Sequence, residues 1–111
     1  ATYVARGTVY HTRHLVRLIR EAIQHRGFSF VEVVSLCPTY FGRYNWRRNT
    51  LEMLHWLREH AVFQARYERL SPEEQREALV IGKLVHRPDE EDFNTRYARV
   101  IQRAQAGSDA P

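Results

Sequence analysis

The run Phe28 to Leu36 is nearly continuous in apolar and β-branched residues, and no other feature narrows the fold as much. It has the pattern of a strand covered on both faces, as in parallel sheets packed between helices. Period-two geometry puts Phe28, Phe30, Glu32, Val34 and Leu36 on one face and Ser29, Val31, Val33 and Ser35 on the other. Glu32 is then a carboxylate inside an apolar strand. It is either a base whose pKa burial has raised, or an acid satisfied by an arginine or a backbone amide.

Upstream, Thr2-Tyr3-Val4-Ala5 reads as a short strand closed by Arg6-Gly7. From His11 to Arg26, Leu15, Leu18, Ile19, Ala22 and Ile23 recur at three- and four-residue spacing, the signature of an amphipathic helix that Gly27 stops. Strand, helix and strand make one βαβ unit, whose crossover is expected to be right-handed.

Residues 37–48 show neither periodicity and mix aromatics with arginines, so a loop is expected there. Asn49, with Glu52 three residues on, starts a helix carried by Leu51, Leu54, Leu57, Ala61 and Val62. Ser71-Pro72-Glu73-Glu74 starts a short helix ending near Leu79, and Val80 to His86 reads as a further strand. Asp89 caps a last helix with the stripe Phe93, Tyr97, Val100, Ile101 and Ala104, and Gly107 to Pro111 reads as a disordered tail.

With 111 residues there is room for one small domain, and charges interrupt every run before the roughly 20 apolar residues of a membrane span. The start at Ala1 has no secretory pattern, which suggests a trimmed start or a piece of a longer protein. A single cysteine, Cys37, forbids an internal disulfide and fits a reducing compartment, with cytoplasm as the expected location. That thiol could still pair with another chain or a metal. The net charge of +4 is modest but uneven: residues 1–67 hold 10 basic and 4 acidic side chains, and 68–111 hold 7 and 9.

Two parallel strands buried on both faces, with one crossover helix and at most one more strand, lack edges and a second covering layer. The missing partners are expected in another segment or chain. The alternative is a compact α+β domain in which the helices at 50–62 and 90–106 close the sheet themselves.

At Thr2-Tyr3-Val4-Ala5-Arg6-Gly7, at Gly27-Phe28-Ser29-Phe30-Val31-Glu32-Val33, and above all at Cys37-Pro38-Thr39-Tyr40-Phe41-Gly42-Arg43, the sequence resembles the beta subunit of 2-oxoacid:ferredoxin oxidoreductases. It is most similar to the 2-oxoglutarate type, and the resemblance covers the C-terminal part of that subunit. It implies the C-terminal portion of a thiamine-diphosphate-binding α/β fold. Residues 1–48 would be that piece with the Cys37 loop, and 49–111 a helical C-terminal extension with one short strand.

The implied reaction decarboxylates a 2-oxoacid, captures the acyl group on coenzyme A and passes electrons through an iron-sulfur cluster to ferredoxin. The implied cofactors are thiamine diphosphate, Mg and a four-iron four-sulfur cluster. The implied partners are the N-terminal part of the beta subunit, an alpha subunit, ferredoxin, coenzyme A and the 2-oxoacid. The family's Gly-Asp-Gly and later Asn, which hold Mg and the diphosphate, are not in this sequence, nor are its upstream cluster cysteines. Only the fourth cluster ligand matches, at Cys37. No catalytic residue is assigned, and the fragment alone is expected to be inactive.

Without the family, a lone cysteine is more often a small buried hydrophobe. Arg6, near the end of the first strand, is a candidate for holding a cofactor anion, against a structural ion pair. His11 and His14 share a helical face, but surface or helix-end histidines outnumber metal pairs, and no zinc pattern accompanies them. Arg43, Tyr44, Trp46, Arg47 and Arg48 could grip single-stranded nucleic acid, which makes a small binding module built on loop 40–48 the rival function. Against it stands a loop that packs its aromatics on the protein and its arginines on acidic neighbours, a partner subunit among them, and a nucleic-acid partner is not expected.

Overall fold

The computed structural model describes residues 1–45 and 49–108. Trp46, Arg47 and Arg48 of the basic aromatic loop, and Asp109, Ala110 and Pro111 of the expected tail, lie outside the described residues.

The architecture is α/β. In chain order the elements are β1 (Tyr3–Thr8), α1 (Thr12–Gln24), β2 (Ser29–Val34), a π-helical turn (Pro38–Gly42), α2 (Thr50–His60), β3 (Ala61–Phe63), α3 (Gln64–Tyr67), α4 (Pro72–Glu77), β4 (Leu79–His86) and α5 (Phe93–Ser108). The sheet order is β2-β1-β4-β3. β1 and β2 run parallel in the register Tyr3↔Ser29 to Thr8↔Val34, as a βαβ unit requires. β4 lies antiparallel to β1, and β3 is parallel to β4.

The first core forms where α1 lies on one face of the sheet. Tyr3, Ala5 and Leu18 are buried together, with Ala22 and Val31 packed against them. The period-two grouping holds here: Ser29 donates its hydroxyl to Ala22 O at 2.9 Å from the α1 side of β2. The Tyr3 hydroxyl, buried under α1, donates to Leu18 O at 3.1 Å. Gly27 ends the crossover with φ +125°, and a Cβ there would stand 2.7 Å from Thr2 Oγ1, so only glycine fits between α1 and β2. Met53 and Leu57 of α2, Val62 of β3 and Ile81 of β4 are buried as well.

The expectation of cover on both faces of β2 is not met among the described residues. Phe28 is 68% exposed and Phe30 53%, and β2 is an edge strand. The alternative of a self-closing α+β domain fails as well, because every described side chain of α5 is exposed. Of the two helices expected to close it, α2 buries Met53 and Leu57, whereas α5 does not cover the sheet.

Other differences are local. Residues 49–111 supply two strands where one short strand was expected. Ala61 and Val62, read as the end of α2, open β3, because β-branched and apolar residues gain more from pairing with Leu79 and Val80 than from another helical turn. Residues 38–42 form a helical turn, not an irregular loop. The cap of α5 falls to Asp92, which accepts from the Thr95 backbone N–H at 2.9 Å and pairs with Arg26 at 2.8 Å, and the helix runs on to Ser108. Asn49 caps α2, accepting from Leu51 N at 2.9 Å, though the return bond expected from Glu52 is not found among the described residues; Ser71 and Glu74 form a capping box. Among the described residues no helix is long and apolar enough to cross a membrane.

Candidate functional site

Cys37 sits just past the carboxyl end of β2, where open α/β sheets present their ligands. Pro38 begins the next turn without an N–H, so nothing is lost at the first position of a helix. The Gly42 N–H then reaches back to Cys37 O at 2.9 Å, a five-residue step that makes the turn π-helical. That winding folds the backbone N–H groups of residues 39–41 around the sulfur. The Phe41 N–H, then that of Tyr40, with a smaller part from Thr39, hold the Cys37 thiol below its ordinary pKa, slightly opposed by desolvation. The thiol is exposed, so the buried-hydrophobe reading is excluded. A thiolate in such a nest is a good metal ligand and a good nucleophile.

A cavity of about 220 Å³ lies between the end of β2 and α2, lined by Val34, Leu36, Phe41, Met53, Trp56 and Leu57. Phe41 borders this apolar space while remaining half exposed, and Gly42 is buried. The rings of Tyr40 and Tyr44 stand 5.0 Å apart, tilted by 57°. Among the described residues no three His, Cys, Asp or Glu side chains gather as a metal cage. Cys37 would therefore supply one ligand of any metal group, and the others would come from outside the described residues.

Arg6 lies beside Glu32 in the sheet register and pairs with it, Nε to Oε2, at 2.6 Å. It also donates to Val80 O at 3.4 Å. Glu32 is thus the acid satisfied by an arginine, but its side chain is 47% exposed, so the desolvation that a strand-buried base requires is missing.

The histidines do not converge as a metal pair. His11 Nδ1 meets Thr8 Oγ1 at 2.8 Å, whereas His14 turns its ring edge-on to Phe63 at 5.0 Å. His60 donates from Nδ1 to Trp56 O at 3.0 Å. A cluster that spacing does not reveal lies at the other end of the sheet: the rings of Tyr3, His25 and His86 stand 5.6 to 5.8 Å apart. The pairing Tyr3↔His86 brings two of these residues together, and His25 Nε2 lies 2.7 Å from Thr2 Oγ1 beside them.

His14 carries a pH signature. Among the described residues its buried Nδ1 has no hydrogen-bond partner. Burial first, then Arg17 and His11, push the imidazole pKa below its ordinary value, with Glu21 opposing. The unfolded chain then binds a proton near pH 6.5 that the folded chain refuses. His14 therefore costs no stability above that pH, and stability is lost as the pH falls from there through the lowered folded value. We expect the urea midpoint to drop from pH 7.5 to 5, and His14→Phe to flatten that slope; an unchanged slope would show that His14 is not the group responsible.

No protein-family model matches the chain. No solved structure matches it either. Curated relatives do. The chain is 36% identical over 104 residues to the 2-oxoglutarate synthase subunit KorB of Methanothermobacter marburgensis, covering 94% of the chain and 36% of that subunit. It is 44% identical over 85 residues to the subunit of the same name from Methanocaldococcus jannaschii, 77% of the chain and 32% of the relative. A 39-residue segment is 49% identical to the 2-oxoacid:ferredoxin oxidoreductase 2 subunit beta of Aeropyrum pernix, 35% of the chain and 13% of that subunit. The chain thus spans about a third of the length of the KorB relatives it matches. Identity at this level over most of its residues means that the chain belongs to the family of 2-oxoacid:ferredoxin oxidoreductase beta subunits.

Proposed function

We propose that the chain is the C-terminal part of the beta subunit of a thiamine-diphosphate-dependent 2-oxoacid:ferredoxin oxidoreductase of the 2-oxoglutarate type, with Cys37 as an iron-sulfur ligand. The observation that carries this is the exposed Cys37 thiol, cradled by backbone N–H groups at the end of a parallel strand. Hydrogen bonds to a ligating sulfur stabilise its negative charge and tune the potential of the cluster it holds. When bound, such a cluster accepts and passes single electrons. The chain's own part is to fix the sulfur: the π-helical turn orients it.

The remaining groups do not fit these residues. Gly-Asp-Gly is absent from the sequence, and Arg6 is engaged by Glu32, so thiamine diphosphate and Mg would be held elsewhere in the assembly. The open face of β2 at Phe28 and Phe30 is what the rest of a thiamine-diphosphate-binding domain would cover. An alpha subunit would complete the site, and the isolated chain would not turn over a 2-oxoacid.

The test is an assay of the complete assembly. With 2-oxoglutarate, coenzyme A and ferredoxin, we expect reduction of ferredoxin that requires coenzyme A and exceeds the rate with pyruvate. No coenzyme A-dependent reduction with any 2-oxoacid would overturn the reading, and faster turnover of pyruvate would overturn the substrate assignment.

A further inference from the structure

α5 leaves the domain instead of folding back on it. The chain measures 71 × 34 × 25 Å, with a radius of gyration of 20.4 Å where a folded domain of this length has about 13 Å. Phe93, Tyr97, Val100 and Ile101 form one stripe, and their exposures run from 41% to 73%. A 16-residue helix is marginal in water on its own, so a stripe of this kind needs cover.

Charge says what the cover is. α5 contains Arg96, Arg99 and Arg103 and no acidic residue. At about 100° per residue all three fall on one flank of the stripe, beside Val100, whereas the other flank carries Asn94, Ala98 and Gln105. A membrane-surface helix sets cations on both sides of its apolar face, so a one-sided rail does not suit a bilayer. Antiparallel pairing with a second copy would set rail against rail, arginine facing arginine. The rail already selects carboxylates in its own chain, where Arg99 pairs with Glu91, and Arg96 lies 4.0 Å from Glu90.

We infer that α5 is a docking helix that seats Phe93, Tyr97, Val100 and Ile101 in an apolar groove of a separate subunit, with a wall of carboxylates along the arginine side. The inference rests on the reading that the chain works inside a multi-subunit oxidoreductase. The groove supplies the buried contact, and the wall fixes the direction in which the helix lies, since reversal would put the arginines against its other side.

The experiment uses the co-purified assembly with a photo-reactive phenylalanine analogue at position 97 and, as control, at position 98 on the flank without arginines. Coenzyme A-dependent ferredoxin reduction serves as the gate: its absence counts against the proposed function and not against the docking helix. In active assemblies the probe at 97 should cross-link to another subunit, on peptides bearing Asp or Glu, and the probe at 98 should not. Arg99→Glu with Arg103→Glu should weaken subunit association by about tenfold, and Glu→Arg at the cross-linked wall should restore it. Cross-links within the same chain, to a second copy or to lipid, or none from position 97, would overturn the inference, as would unchanged association of the doubly reversed variant.

Discussion

Serine at position 37 should strip the assembly of most of its beta-subunit iron and of the visible absorption that goes with it, while leaving the fold intact. Cys37 is exposed, so the substitution opens no cavity, and the far-UV spectrum should not change. What changes is the ligand. A thiolate is the natural partner of iron-sulfur chemistry, and a serine hydroxyl ionises too reluctantly to replace it. The backbone N–H groups of Phe41 and Tyr40 that hold the thiol below its ordinary pKa would face a neutral hydroxyl. Alkylation supplies the companion measurement. In cluster-free chain, iodoacetamide should modify Cys37 at a lower pH than an ordinary thiol, because the thiolate forms earlier. In loaded assembly the same cysteine should be protected. Iron and absorption unchanged in Cys37→Ser would remove the ligand assignment, and equal alkylation of loaded and cluster-free forms would do the same.

The path from residues to this site was readable only in part. Leu15, Leu18 and Ala22 at helical spacing, between two β-branched runs, specify βαβ locally, and the parallel pairing of Tyr3–Thr8 with Ser29–Val34 follows. Asn49 and Ser71 are read correctly for the same reason: a cap is a bond between near neighbours. Partners far along the chain are not legible in this way. Ala61, Val62 and Phe63 continue the apolar pattern of α2, and only Leu79, Val80 and Ile81 turn them into a strand. Asp89 and Asp92 are equally good caps by type, and Arg26, distant in sequence, favours Asp92. The apolarity of Phe28 and Phe30 states a demand for cover without saying where it is met. At the site itself, the identity of Cys37 is plain in the sequence, but its nest is not, because a π-helical turn has no periodicity to read.

Leu18→Ala should destabilise the chain by about 3 kcal/mol, within the range for a fully buried leucine whose site relaxes only partly. Leu18 is 2% exposed, against Tyr3 at 1% and Ala5 at 0%, and it is the side chain of α1 that reaches deepest into the sheet. Ile23, five residues on, is 80% exposed, and Ile23→Ala should change stability by no more than about 0.5 kcal/mol. The comparison isolates burial from helix propensity, since both variants place alanine in the same helix. Urea unfolding should show a lower midpoint with an unchanged slope for Leu18→Ala alone. Equal shifts in the two variants would mean that α1 is not seated on β1 and β2 as described. The same substitution tests how the site is held. α1 is the crossover that keeps β1 and β2 parallel, and β2 delivers Cys37. Iron should therefore be lost from Leu18→Ala only on warming, in step with unfolding, whereas Cys37→Ser lacks it at every temperature: one variant removes the support and the other the ligand.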